Sequence, residues 1–174
     1  MSLYEIGGKR PVIDPSSWVA PSADLIGNVI IGKNCYIGWG AVLRGDYGTI
    51  IIEDGTAVEE NVTIHSRPGN LTKIGKDVTI GHNAMIHNTT IGDNAVIGMN
   101  STITDYSDVG EWSIVAEHSL IKRNQSVPAG KIYAGVPAVE KGDVQEKHKT
   151  EWSAAKKIYQ NLAMRYRTEM IKLD

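Results

Sequence analysis

The chain has no phenylalanine and only one cysteine, Cys35, among its 174 residues. A single thiol excludes an internal disulfide, so packing and hydrogen bonds must hold the fold. The start, M-S-L-Y-E-I-G-G-K-R, has no apolar run resembling a signal peptide or a membrane span. A soluble cytoplasmic protein is the expectation. Positive charge is not in excess either: 18 Lys and Arg stand against 20 Asp and Glu, with a net charge of -2. The basic residues are scattered until the C-terminal segment, which argues against nucleic acid as a partner. The length suits one domain and is short for two. What the chain does have is 18 glycines and many Ile and Val residues. That composition favours a regular, strand-rich architecture with a branched aliphatic interior.

Residues 1–18 read as an extended lead-in, in which Pro11 and Pro15 block any helix. From Val19 an aliphatic residue recurs every six positions: Val19, Leu25, Ile31, Ile37, Leu43. The phase resumes after short insertions at Ile52, Val58 and Ile64, and again at Ile74, Ile80 and Ile86. After one residue is dropped, it runs from Ile91 to Tyr133. Four places after each aliphatic residue the side chain is usually small or β-branched, as at Cys35, Ala41, Val62, Ala84 and Ser101. One large and one small inward residue per six describes short strands joined by tight corners. The predicted class is all-β: a parallel β-helix over residues 19–142.

The period breaks after G-V-P-A, Gly135 to Ala138, and charge density rises. In residues 143–174, Trp152, Ala155, Tyr159, Leu162, Tyr166, Met170 and Leu173 are spaced by threes and fours. This spacing predicts an amphipathic α-helix packed along the β-helix.

The six-residue pattern from Val19 to Ala138 resembles the hexapeptide-repeat proteins. That resemblance implies a left-handed β-helix with three repeats per triangular coil, so nineteen repeats make about six coils. Leu43, Ile64 and Ile86 then stack, and so do the residues that follow them: Arg44, His65 and His87. Two imidazoles on adjacent coils, about 4.8 Å apart, can share one metal ion. His82 falls on the preceding face with Glu60 directly beneath it, and it points outward. A ligand so placed is better able to serve a neighbouring subunit, and a contact of that kind must close into a ring. The expectation is a homotrimer with metal held by His65 and His87 of one subunit and His82 of the next. His118 and His148 have no partners in their columns and read as solvated.

The run L-R-G-D at Leu43 to Asp46, the I-H at Ile64–His65, the G-H-x-x-x-x-H ending at His87 and the I-Y-A-G-V-P-A at Ile132 to Ala138 narrow the resemblance. Together they are similar to the γ-class carbonic anhydrases and their bacterial carnitine- and phenylacetate-operon relatives. The resemblance implies Zn2+, or Fe2+ or Co2+, on the three histidines, and reversible hydration of carbon dioxide to bicarbonate. Three neutral imidazoles leave an open metal position for water, whose pKa falls to about 7. Arg44 and Asp46 match a family pair that spans the interface and orients the site. Glu59 and Glu60 stand where the family commonly has glutamine and aspartate, and the loop Ser66 to Lys73 has no acid to shuttle protons. Glu59 can accept a hydrogen bond or a proton, but its negative charge raises the pKa of nearby water. Tyr159 matches a tyrosine of the bacterial relatives that can approach the metal. Two other readings stay open: a hexapeptide acyltransferase acting on an acyl-CoA, and a non-catalytic metal-binding member.

Overall fold

A computed structural model describes residues 1–173. The chain coils upward through short parallel strands, most of them two or three residues long, and ends in one helix, Glu146–Glu169. The repeat appears as three vertical ladders of aliphatic residues. On one face Val19 pairs with Ile37, and the ladder continues through Val58, Ile80, Ile97 and Val115 to Tyr133. The second runs from Leu25 through Leu43, Ile64, Ile86 and Ile103 to Ile121. The third runs from Ile31 through Ile52, Ile74, Ile91 and Val109 to Val127. These side chains are almost wholly buried, apart from the ends Val19 and Tyr133. Stacking equal aliphatic groups fills a narrow interior without large aromatics.

The stack has about seven turns rather than the six expected. The lead-in accounts for the difference. Its strand Ser2–Tyr4 places Leu3 beneath Leu25, and Val12–Ile13 places Ile13 beneath Ile31, adding a rung to two faces. At the other end, Ala138–Asp143 folds back antiparallel on Lys131–Gly135 and covers the last rung of the first face.

The small residues of each repeat sit at the corners, and many carry hydroxyls. Thr56 donates to the Gly75 carbonyl, and Ser101 to that of Ala116. Buried polar groups are thereby satisfied where the chain turns. The same corners need a left-handed residue, and φ is positive at Asn34, Asn61, Asn83, Asn94 and Asn100. Asparagine tolerates that region far better than most side chains. Tyr106, Trp112 and His118 take the same conformation, with φ of 58°, 57° and 56°.

The helix packs on the first face near its base. Tyr166 tilts against Trp18 with ring centroids 4.6 Å apart, and Tyr159 meets Tyr36 edge-on at 5.1 Å. Lys156 and Ala163 are its buried residues. Met170 and Leu173, the last members of the predicted apolar stripe, lie beyond the helix end and are exposed.

Candidate metal centre

The ladder of Leu43, Ile64 and Ile86 faces inward, so by strand alternation the residue after each faces out. Pairing puts Arg44 opposite His65, and His65 opposite His87. Gly45 lets the lowest of these strands lie close to the coil below. A Cβ there would sit 2.5 Å from the Asn28 carbonyl oxygen. Arg44 and Asp46, two apart on one strand, share a side and pair within the chain, with Arg44 donating to Asp46 Oδ2 at 2.7 Å.

The two imidazoles meet nitrogen to nitrogen: His65 Nδ1 lies 3.0 Å from His87 Nε2. The far nitrogen of each ring is held by a carboxylate. His65 Nε2 is 3.2 Å from Asp46 Oδ1, and His87 Nδ1 is 2.6 Å from Asp105 Oδ1. Arg67 grips Asp105 with two hydrogen bonds, Nε at 2.9 Å and a terminal nitrogen at 2.7 Å.

Charge follows from these contacts. The Arg67 hydrogen bond, outweighing burial and aided by His87, holds Asp105 down at about 2. Burial pushes Asp46 up, but the hydrogen bonds from Arg44 and the Tyr47 amide, with the Arg44 charge, bring it below its usual range. Burial lowers His65, as does the Arg44 charge, against the raising effect of Asp46. Neutral His65 is thereby favoured, which is the form that binds metals.

Ionised carboxylates only accept hydrogen bonds, so the nitrogens facing them carry the protons. In neutral rings that leaves His65 Nδ1 and His87 Nε2 with bare lone pairs aimed at one another. At 3.0 Å this arrangement is satisfied by a proton shared between the rings or by a metal ion that replaces it. Two nitrogen ligands at about 2.0 to 2.1 Å from a tetrahedral metal lie roughly 3.3 Å apart. The pair fits a metal after an opening of a few tenths of an ångström. A carboxylate behind each imidazole is also the usual way a metal-binding histidine is oriented.

A second cluster gathers the other candidate residues. His82 has its Nε2 3.0 Å from Glu59 and its Nδ1 2.7 Å from Glu60. Tyr36 donates to Glu60 Oε1 at 2.6 Å, and Tyr159 lies close enough to Glu59 for each to shift the other's proton affinity. Burial pushes Glu59 above the usual carboxylate range, although His82, Tyr159 and the His82 amide all pull it down. Burial, and the neighbouring glutamates, push both tyrosines up, so they remain protonated donors. His82 is the most exposed of the three rings, at 38% against 16% for His65 and 28% for His87. Among the described residues, no three His, Cys, Asp or Glu side chains of one chain are arranged to hold a metal ion. To bind one, His82 must release a carboxylate from one of its nitrogens.

The remaining histidines behave differently. His118 occupies a left-handed corner with only a 3.5 Å contact to Asn100. His148 is not merely solvated: its Nδ1 accepts from the Gln145 amide at the helix start. Reading the sequence missed Asp105, Arg67 and Tyr36. Asp105 lies two places after Ile103, one coil above Ile86, and so stands beside the column, which itself continues to Thr104. Arg67 belongs to an insertion, where the repeat gives no direction to a side chain.

Comparison with known proteins agrees with this architecture. Residues 28–66 match the family described as hexapeptide repeat of succinyl-transferase. Residues 71–105 and 88–123 match bacterial transferase hexapeptide (six repeats). A solved hexapeptide transferase family protein from Anaplasma phagocytophilum is 36% identical with a TM-score of 0.91, covering 95% of this chain and 98% of that one. With that coverage and the in-register ladders, the chain belongs to the hexapeptide-repeat family.

Within the family it is similar to the mitochondrial gamma carbonic anhydrase 2 of Arabidopsis thaliana. The two are 37% identical over 177 residues, which is 98% of this chain and 64% of the plant protein. It is also similar to the carnitine operon protein CaiE of Proteus sp., 48% identical over 65 residues, or 37% of this chain and 33% of CaiE. The chain spans less than two thirds of the length of these curated relatives. No helix among the described residues is long and apolar enough to cross a membrane.

Proposed function

We propose that the protein is a metal-dependent carbonic anhydrase that interconverts carbon dioxide and bicarbonate at the seams of a cytoplasmic homotrimer. The observation that carries this reading is the facing pair His65 Nδ1 and His87 Nε2, each ring backed by an aspartate. These two residues are the ligands from one subunit, and His82 of the adjoining subunit is the third. Zn2+ suits three imidazoles, as do Fe2+ and Co2+. When bound, such an ion supplies the Lewis acidity that makes water a nucleophile source near neutral pH. Similarity to the plant enzyme over nearly the whole chain supports the assignment.

The protein's own groups then have separate tasks. Asp46 and Asp105 keep the bare nitrogens of His65 and His87 turned towards each other. Arg44, whose side chain is 42% exposed, stays cationic and attracts the bicarbonate anion. Glu59 takes up a proton readily for a carboxylate, because burial has raised its affinity. Tyr159 lies beside Glu59 and lowers its proton affinity, and Glu60 offers a second acceptor nearer solvent.

Stopped-flow hydration of carbon dioxide by reduced, metal-loaded protein tests the proposal. Activity should be lost in His87→Ala. If wild type binds metal in full and hydrates carbon dioxide no faster than His87→Ala, the proposal is wrong. The transferase names of the matched families favour a second reading, acyl transfer from an acyl-CoA, with a histidine as base. Turnover of acetyl-CoA that survives complete metal removal would select it. Full metal loading with neither activity would instead mark a metal-binding protein without catalysis.

A further inference from the structure

We infer that Asp105, clamped by Arg67, is a positioning residue that selects which nitrogen of His87 faces the metal. The inference rests on the metal site proposed above and extends it to Asp105, one coil above His87, and to Arg67, two residues after His65. Three distances carry it. His87 Nδ1 lies 2.6 Å from Asp105 Oδ1, and Arg67 binds Asp105 at 2.9 and 2.7 Å through both oxygens.

The geometry leaves Asp105 little freedom. It is buried to within 8% of its surface, and the planar guanidinium matches both carboxylate oxygens at once. Arg67 is itself anchored, because its amide donates to Asn88 Oδ1 at 3.3 Å, and Asn88 is the residue after His87. The insertion between Ile64 and Ile74 thus folds over the top of the histidine column and ties it to the next coil. A carboxylate fixed on Nδ1 keeps the proton there, and the lone pair of Nε2 then projects at His65 Nδ1.

The same construction serves the other ring in mirror fashion. Arg44 holds Asp46, and Asp46 faces Nε2 of His65, which leaves Nδ1 bare. The two histidines therefore present different nitrogens to one point, and each choice is made by its own Arg–Asp pair. Removing either aspartate lets the ring adopt the other tautomer, or rotate, without disturbing the backbone ladder.

The test uses full-length Asp105→Asn and Asp105→Ala, with Asp105→Glu as the conservative variant. Circular dichroism melts first establish that each is folded; Asp105→Asn is nearly isosteric and guards against collapse of the Ala variant. Zinc affinity is measured by chelator competition. Nitrogen-15 NMR of histidine-labelled, zinc-loaded protein reports whether His87 is metallated at Nε2 with Nδ1 protonated. The expected result is a 10- to 100-fold loss of zinc affinity in Asp105→Ala, the range typical of such outer partners, with partial recovery in Asp105→Glu. The His87 Nδ1–H signature should weaken or move. Zinc affinity within twofold of wild type, together with an unchanged His87 signature in folded Asp105→Ala, would overturn the inference. So would wild-type protein that fails to metallate His87 at Nε2. Wild type that binds zinc through His87 Nε2 but does not hydrate carbon dioxide would end the enzymatic reading and leave this one standing.

Discussion

His65 and His87 face each other across adjacent coils, Nδ1 to Nε2 at 3.0 Å, while Asp46 and Asp105 hold their opposite nitrogens. In the proposed site this pair supplies two of the three ligands. Its complement, His82, sits among Glu59, Glu60 and the tyrosines that touch them, in a separate cluster. A site divided in this way makes predictions that depend on the assembly as much as on the subunit.

Mixed trimers should recover what each parent has lost. His82→Ala keeps the stacked pair, and His87→Ala keeps the outward ligand, so neither alone should retain more than a small fraction of the metal. Equal random mixing should restore about one quarter of the sites, those where an intact pair meets an intact His82. Metal content after mild unfolding and reassembly is the measurement. No recovery in well-formed trimers would place all three ligands in a single chain.

Replacing Glu59 by Gln removes a negative charge while keeping an oxygen to accept from the His82 amide. An anion beside the metal raises the pKa of the water it activates. The pH of half-maximal hydration should therefore fall in Glu59→Gln, and dependence on external buffer should grow as an internal proton acceptor is lost. A pH–rate profile superimposable on wild type would assign Glu59 to structure alone.

Lys156 gives a pH signature unrelated to the metal. Burial lowers it to about 8 from the ordinary 10.5, despite the nearby Asp77, and its contacts to Thr79 and Ala95 are long at 3.4 Å. Above 10.5 the amine is neutral in both states. As pH falls towards 8 the unfolded chain gains a proton that the folded chain does not, so stability declines by about 3 kcal/mol and then levels off. Lys156→Met should remove that slope. Urea melts of both proteins at several pH values from 7 to 10 give the difference; parallel curves would show that Lys156 is solvated more than its burial implies.

His118 sits in a left-handed corner, where the chain more often places asparagine. Its side chain makes only one long contact, so little is lost on replacement. His118→Asn should raise stability by roughly 0.5 to 1 kcal/mol, read from the melting midpoint, with metal content unchanged.

The fold was legible because a β-helix is written one rung at a time. Leu43, Ile64 and Ile86 could be aligned by counting, and the residues after them were thereby aligned too. The same count placed Glu60 beneath His82. It undercounted the turns because Leu3 and Ile13 precede the regular repeat, yet still stack on Leu25 and Ile31. The partners Asp105 and Arg67 were harder to see. One is a single carboxylate among twenty acidic residues, and the other lies in an insertion whose path is set by tertiary hydrogen bonds. The contact of Tyr159 with Glu59 depends on where a helix almost a hundred residues later comes to rest, which no local pattern encodes.

The aliphatic ladders carry one more implication. Extra residues between Ile64 and Ile74 are accommodated at a corner, while Ile52 still pairs with Ile74 and Ile64 with Ile86. The interior therefore acts as a gauge for the ligands, and the loops are free to vary in length without altering it. A one-residue deletion within Val78–Ile86 would turn the strand by one position and send His87 towards the core. Loss of an apolar rung such as Ile86, which removes no ligand, would then present in the laboratory as a failure to hold metal.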